Sequence, residues 1–348
     1  MKYRSIGRTG IQVSPYCLGA MMFGGWGNTD HDECVRIIHT ALDAGINFID
    51  TADVYAAGES EEIVGKALKG RRDEVVLATK FFMPMGKDPN MAGGSRRWII
   101  QEVEHSLRRL DTDYIDLYQI HRPVPGTDID ETLGALSDLI RQGTVRIIGS
   151  STFPAEEIVE AQWTAERRNR ERLTCEQPPY SLFARGIETS VLPTCERYGM
   201  GVIPWSPLAG GWLTGKFRKG DATPDSQRAR LRPDRFDFSL PENQRKLDLI
   251  EELAKVAADA GLSMTHMAMA FVVSHPAVSA AIIGPRTMDQ LTDVLAGSAV
   301  ELSDDVLDRL DEVVPPGTTI NAADAGWTPP SIANPYHRRR PAGRRAAG

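Results

Sequence analysis

The stretch Phe48–Tyr55, FIDTADVY, is an apolar strand that ends on an acid, Asp50, with a tyrosine, Tyr55, five residues further on. Two more apolar runs end on a reactive side chain: VVLATK stops at Lys80 and YIDLYQIH stops at His121. In a barrel of parallel strands such ends all open onto one face, where active sites are built. Three successive strand ends thus bring a carboxylate, a phenol, an ammonium and an imidazole together, a set suited to donating a proton.

Outward from this stretch, short Val/Ile/Leu-rich runs alternate with amphipathic helical patterns, the rhythm of repeated βα units around a parallel sheet. The expected strands are Cys17–Met21, Phe48–Asp50, Val75–Thr79, Tyr114–Ile120, Val145–Gly149, Leu173–Glu176, Gly201–Pro204 and Ala280–Ile283. Helices are expected between and after them, the first over Thr29–Ala44 and the second over Ser60–Leu68, with a terminal one over Asp304–Val313. Eight strands, each followed by a helix, point to a single (β/α)8 TIM barrel over residues 1–315. Lys2–Arg4 and Gln12–Ser14 around Arg8-Thr9-Gly10 read as an N-terminal β-hairpin at the mouth of the barrel.

Helix ends carry their own signals. Ser60 before Glu61 and Glu62, Thr29 before Asp32 and Glu33, and Ser303 before Asp304 and Asp305 put acids in first turns, where the helix dipole favours them. Gly45, Gly70, Gly143 and Gly261 fall where helices should stop. The long loop after the seventh strand, Trp212–Pro241, is rich in Arg, Asp, Gly and Pro, and loops of this length are usually functional. Residues 316–348 read as an irregular C-terminal segment with a basic, disordered end.

Composition excludes several classes. Hydrophobic content of 41% and charged content of 25% are those of an ordinary globular chain of 348 residues. The net charge of −7 hides five arginines in Tyr336–Gly348, which leave the rest of the chain at −12. An acidic body argues against nucleic acid as a partner. Cys17, Cys34, Cys175 and Cys195 form no C-x-x-C pair, which fits a reducing compartment and gives no metal site. No apolar run approaches a membrane span, and the first residues lack a signal-peptide core. A cytoplasmic protein is expected, with homo-oligomerisation left open.

A free tyrosine has a pKa of about 10 and is a reluctant acid at neutral pH. Lys80 beside Tyr55 would stabilise the phenolate, and Asp50 would hold Lys80 charged. His121 would donate a hydrogen bond to the substrate oxygen or relay a proton. Such a set suits hydride addition to an aldehyde or ketone, with Tyr55 as general acid.

Seven segments then carry a resemblance: FIDTADVYAAGESEEIVGKAL, ATKF, DLYQIHR, IGSSTF, EQPPYSLF, VIPWSPLAGGWLTGK and IIGPRTMDQL. In this order the chain resembles the aldo-keto reductases over roughly residues 1–315. The resemblance implies the tetrad Asp50, Tyr55, Lys80 and His121, and a nicotinamide cofactor bound without a Rossmann domain. The absence of a G-x-G-x-x-G run agrees. It also implies that Ser151 and Gln177 hold the carboxamide, with Thr152 where the family often has Asn. Trp205 would stack on the nicotinamide, and Ser206, Leu208, Gly210, Gly215 and Lys216 would hold the pyrophosphate. Arg286, Thr287, Gln290 and Asp293 match the segment that grips the adenosine 2′-phosphate and adenine, so NADPH is expected; Arg228 matches a cofactor-reaching arginine of the long loop. Asp293-Val294 stands where the family frequently has Glu-Asn. Met22, Phe23, Phe82, Arg122 and Trp212 follow strand ends beside the tetrad and are expected to rim the pocket of a small-molecule carbonyl substrate.

Two other readings compete. The resemblance includes potassium-channel β subunits, which keep the fold and cofactor site yet act as partners, and PPYSLF and WSPLAGG look like that branch. Those proteins usually carry an N-terminal extension, whereas about 16 residues precede the first expected strand here. A Schiff-base lyase would need Lys80 neutral near pH 7, which the adjacent Asp50 opposes.

Overall fold

The computed structural model describes residues 1–123, 126–225, 229–230 and 232–337. The chain opens with an antiparallel hairpin, β1 (Arg4–Ser5) and β2 (Gln12–Val13). Eight parallel strands follow: β3 (Tyr16–Gly19), β4 (Phe48–Asp50), β5 (Val76–Phe81), β6 (Ile115–Ile120), β7 (Val145–Ser151), β8 (Cys175–Gln177), β9 (Gly201–Val202) and β10 (Ala281–Ile283). Their order in the sheet is β10-β3-β4-β5-β6-β7-β8-β9. The two ends of the sheet meet where Val202 bridges Val278 in parallel. There the Ser279 N–H donates to the Val202 carbonyl at 2.8 Å and the Ile282 N–H to the Pro204 carbonyl at 2.9 Å. The result is the (β/α)8 barrel expected from the sequence.

Successive strand residues face opposite sides, and this period places the site. Cys17, Phe48, Ala78, Leu117, Cys175, Ile203 and Ile282 form an inner apolar cluster. Their neighbours Leu18, Ile49, Leu77, Tyr118 and Val202 pack outward, in the larger core under the helices. Two residues further along the inward rows come Asp50, Lys80, Gln119 and Gln177, all buried. The barrel interior is therefore apolar at its base and turns polar at the C-terminal strand ends.

The base is plugged by the hairpin, whose Ile6 and Val13 join the inner cluster. The Arg8 N–H donates to the Gly199 carbonyl at 3.0 Å. Gly7 sits at φ +51° against this wall; a Cβ there would lie 2.4 Å from the Gly199 oxygen and 2.5 Å from the Gly201 nitrogen.

Several helix ends differ by a residue or two from the sequence reading. The first helix runs over His31–Asp43, because Asp30 rather than Thr29 accepts from the Glu33 N–H. The second starts at Glu59, and the Ser60 hydroxyl instead donates to the Ala20 carbonyl at 2.8 Å. Ser303 caps Asp304–Val313 as expected, and Gly45, Gly70, Gly143 and Gly261 all adopt positive φ.

The loop after β9 has a core of its own. Trp212 packs 5.3 Å from Phe217, 6.1 Å from Phe236 and 5.1 Å from Phe238, between ring centres. Residues 316–337 form short 3-10 turns, Ala322–Ala325 and Pro335–His337, and a helical turn, Pro330–Ala333. Side chains such as Asn321 and Asp324 tie them to the loop after β9, and the basic end, 338–348, lies outside the described residues. Among the described residues no single helix is long and apolar enough to cross a membrane.

Two glycines of the plug separate backbone strain from collision. Gly10, at φ +79°, has nothing within 4 Å of a Cβ position. Gly10→Ala is expected to cost about 1 kcal/mol in denaturant unfolding, the cost of a left-handed residue alone. Gly7→Ala is expected to cost roughly 2–3 kcal/mol or more, because it adds the clash with the wall. Equal losses would show that the hairpin does not seat as described.

Candidate active site

The polar end of the inward rows centres on Lys80. Its ammonium donates to Asp50 Oδ1 at 2.6 Å, to the Thr51 carbonyl at 2.8 Å and to the Tyr55 hydroxyl at 3.2 Å. Asp50 is held from its other oxygen, where Oδ2 accepts from Gln119 Nε2 at 3.1 Å and from Gln177 Nε2 at 2.9 Å. The ring of His121 meets that of Tyr55 edge-on at 5.7 Å. The four residues the sequence singled out thus lie in one cluster.

Electrostatics set the state of each member. Burial alone would depress the pKa of Lys80, but the charge of Asp50 and the bonds to Asp50 and Tyr55 outweigh it and raise it. Burial raises the pKa of Tyr55, and the opposing pull of Lys80 does not overcome it. The sequence reading anticipated the pull of Lys80 but not the larger effect of burial, which keeps the free protein's phenol protonated. Burial, then the charges of Lys80 and Arg122, hold His121 well below the usual histidine range, so its imidazole is neutral at pH 7. Its Nδ1 is buried without a partner among the described residues.

Beside this cluster lie the residues expected to hold a cofactor. The Ser151 hydroxyl donates to the Gln177 carbonyl at 2.9 Å, across the β7–β8 pair. The side-chain nitrogen of Gln177 is already engaged by Asp50 and Gln119, which leaves its amide oxygen as the group to meet a ligand. Trp205 follows β9, half-buried, and its backbone N–H donates to the Pro178 carbonyl at 3.0 Å. Ser206, Ala209, Gly210, Gly211 and Gly215 all take positive φ around Leu208, so the chain here curls tightly. A Cβ on Gly211 would lie 3.1 Å from the Lys216 ammonium. A small-residue loop with an ammonium folded over it suits a phosphate.

On the neighbouring strand end, after β10, Thr287 caps the helix Met288–Ala296 by accepting from the Gln290 N–H, and the Arg286 N–H donates to Gln290 Oε1 at 2.8 Å. This is a helix N-terminus with an exposed arginine, a place that favours an anion. Asp293 pairs with His266 at 3.2 Å. Arg228 lies outside the described residues. The donor set fits a dinucleotide. Among the described residues no cluster of His, Cys, Asp and Glu could hold a metal ion.

The expected pocket rim is only partly assembled. Met22 and Phe82 are half-buried, and Phe82 is held at φ +125°, rare for a non-glycine residue. Phe23 is fully buried in the outer core, and Trp212 is buried in the aromatic core of its own loop. Both side chains are buried among apolar neighbours. Arg122 turns onto the His121 carbonyl at 2.6 Å. Beside the tetrad stands Trp26, half-exposed, with its ring 5.8 Å from that of Tyr55. Its loop is pinned by Glu59, which accepts from the Gly25 N–H at 2.8 Å and pairs with His31 at 2.7 Å. An open groove lined by Trp26, Val54, Ala56, Ala57, Pro84 and Met85 adjoins it. Only the position of Trp26 after the first barrel strand signalled it in sequence.

A second unanticipated residue is Glu176, buried on β8. It accepts from the Ser150 hydroxyl at 2.5 Å and from the Phe153 N–H at 3.1 Å. It thereby braces the turn that holds Ser151 and the left-handed Thr152 (φ +62°). Burial pushes its pKa up to about 7.

The parallel barrel, with a tyrosine hydroxyl bonded to a buried lysine–aspartate pair at its C-terminal face, places the chain among the (β/α)8 oxidoreductases. More narrowly, the chain belongs to the aldo/keto reductase family, whose model matches residues 15–315. It is 41% identical over 327 residues to the uncharacterized oxidoreductase YrpG of Bacillus subtilis, covering 90% of this chain and 96% of that one. It is 38% identical over 296 residues to the aldo-keto reductase YhdN of the same organism, covering 84% and 87%. A probable voltage-gated potassium channel subunit beta of Oryza sativa is 36% identical over 327 residues, covering 90% and 97%. The family generally uses NAD(P)H.

Glu176 gives the site a titration that can be measured. Its folded pKa lies above the usual 4.5, so the folded state binds the proton more tightly than the unfolded one. That contribution is fully present below pH 4.5 and is lost as pH rises through 7. Between these limits, wild type is expected to lose up to about 3 kcal/mol relative to Glu176→Gln. Parallel stability profiles in the two proteins would show that Glu176 is ionised as in water.

Proposed function

We propose that the protein reduces aldehydes or ketones to alcohols with NADPH, and that Tyr55 is the general acid. The observation that carries this is the 3.2 Å approach of the Lys80 ammonium to the Tyr55 hydroxyl, with Asp50 2.6 Å behind it. The bound cofactor supplies the hydride. As negative charge develops on the carbonyl oxygen, Tyr55 gives up its proton and Lys80 stabilises the phenolate left behind. Asp50 keeps Lys80 charged and in place. Neutral His121, edge-on to Tyr55, orients the same oxygen by a hydrogen bond. Trp26 and the groove beside it form a flat apolar wall for the rest of the substrate, and Met22 and Phe82 complete the pocket.

Ser151 and the amide oxygen of Gln177 would hold the carboxamide, and the Trp205 ring would stack on the nicotinamide. The loop Ser206–Lys216 would take the pyrophosphate. Arg286, with Thr287 and Gln290 at a helix N-terminus, would take the 2′-phosphate, since a guanidinium pairs two phosphate oxygens at once. Asp293, already paired with His266, would border the adenine. The similarity to channel β subunits supports a second reading, in which the chain binds cofactor but acts mainly through a partner.

Two measurements test the proposal. NADPH consumption over a panel of aldehydes and ketones should fall by roughly 10²–10⁴ in Tyr55→Phe, the usual range for a general acid. Cofactor binding without turnover across the panel would favour the regulatory reading, and equal rates in both proteins would remove Tyr55 from the chemistry. Arg286→Ala should weaken NADPH binding roughly 10- to 100-fold, as expected for lost charge-assisted hydrogen bonds, and leave NADH binding unchanged. Equal weakening of both would place the 2′-phosphate elsewhere.

A further inference from the structure

The chain beyond residue 315 lies outside the span that matches the family, yet it crosses the same face of the barrel as the tetrad. The Ile320 N–H donates to the Phe183 carbonyl at 2.9 Å, and the Arg185 N–H to the Thr318 carbonyl at 2.8 Å. From there the segment passes to the loop after β9. Asn321 Nδ2 donates to the Asp234 carbonyl and to Asn243 Oδ1, both at 2.9 Å. Asp324, buried, lies between two cations: its Oδ1 is 2.5 Å from Arg235 Nε, and its Oδ2 is 2.5 Å from Lys246 Nζ. Lys246 is itself fully buried, with its ammonium over the Trp212 ring.

Two residues after Asp324 the backbone reaches Trp205. Gly326 takes φ +83°, and a Cβ there would lie 2.7 Å from Trp205 Cζ2, 3.1 Å from Pro179 Cγ and 3.1 Å from Thr152 Cγ2. Gly326 thus faces the loops after β7, β8 and β9 together, with no room for a Cβ between them. A tryptophan on a loop has two soft side-chain torsions. Here the edge of the ring is packed by Gly326, which is in turn tied down by Asp324.

We propose that Gly326 and Asp324 are positioning residues for the Trp205 ring. Gly326 seats the ring edge, and Asp324, gripped by Arg235 and Lys246, locks the 316–326 strap to the loop after β9. The strap therefore tunes how tightly the nicotinamide end of the cofactor is held. This rests on the reading of Trp205 as the stacking residue. No side chain other than glycine fits at 326 without moving the ring, and Asp324 is the shared counter-charge of two buried or nearly buried cations. Its loss leaves both uncompensated and frees the strap.

The test compares two ligands that share one end: NADP+ and adenosine 2′,5′-bisphosphate, which lacks the nicotinamide. Calorimetric titration of wild type, Gly326→Ala and Asp324→Asn gives both affinities. Each variant should weaken NADP+ roughly three- to tenfold, the scale of one aromatic stacking contact, and leave the adenosine bisphosphate unchanged. If Gly326→Ala does not fold, Asp324→Asn carries the same comparison. Unchanged NADP+ affinity, or equal weakening of both ligands, would overturn the proposal, the second because it marks general loosening. Tighter NADP+ binding would overturn it too, since the strap would then be an obstruction. A wild type that binds neither ligand would remove the cofactor reading itself, and the strap's role with it.

Discussion

The buried pair of Lys80 and Asp50 is the constraint around which the site is arranged. Removing an ammonium and a carboxylate from water costs several kcal/mol each, and their attraction repays this only when geometry and further hydrogen bonds are good. Here the ammonium has three oxygen partners, and the carboxylate has two amides on its second oxygen. Such a pair is a poor source of stability. It is a strict source of position, because its members come from the ends of β4, β5, β6 and β8 and none can drift without stranding a charge.

The segment carrying Tyr55 needs the same discipline. Ala56 and Ala57 both sit at positive φ, and Gly58 follows at φ +100°, so the chain behind the phenol is tightly wound. Beneath it lies a second buried ionic group. Arg109 Nε donates to Glu61 at 2.6 Å and its Nη2 to Glu102 at 2.6 Å, while Thr79 donates to Glu61. A Cβ on Gly58 would meet Arg109 Cδ at 2.7 Å. The strained turn therefore rests directly on the guanidinium, which neighbouring helices hold from below.

Sequence rhythm made the barrel legible, because alternation of period two both names a strand and sorts its residues into inner and outer rows. Once Phe48 and Ala78 are inward, Asp50 and Lys80 must be. What the pattern lacks is information about partners. Trp212 and Phe23 follow strand ends, but the pattern does not tell that Trp212 stacks with the phenylalanines of its own loop or that Phe23 is fully buried. Glu61 reads as a helix-dipole acid in a first turn, yet it is buried against Arg109, 48 residues away. Trp26 depended on how Glu59 folds its loop. The strap was invisible for a different reason: a Pro-, Gly- and Ala-rich stretch has no period, and its order comes wholly from tertiary contacts.

The closure of the barrel has a consequence for motion. β6 and β7 pair along nearly their whole length, but among the described residues β9 meets the segment leading into β10 in one bridge, Val202 to Val278, with a few backbone bonds around it. Hydrogen exchange follows local opening, so this seam should breathe more readily than the β6–β7 pair. The Ser206–Lys216 loop and the Arg286–Gln290 turn stand on its two sides. A ligand held by both would act as a clasp across a thinly bonded joint, making the ring most rigid only when the site is filled.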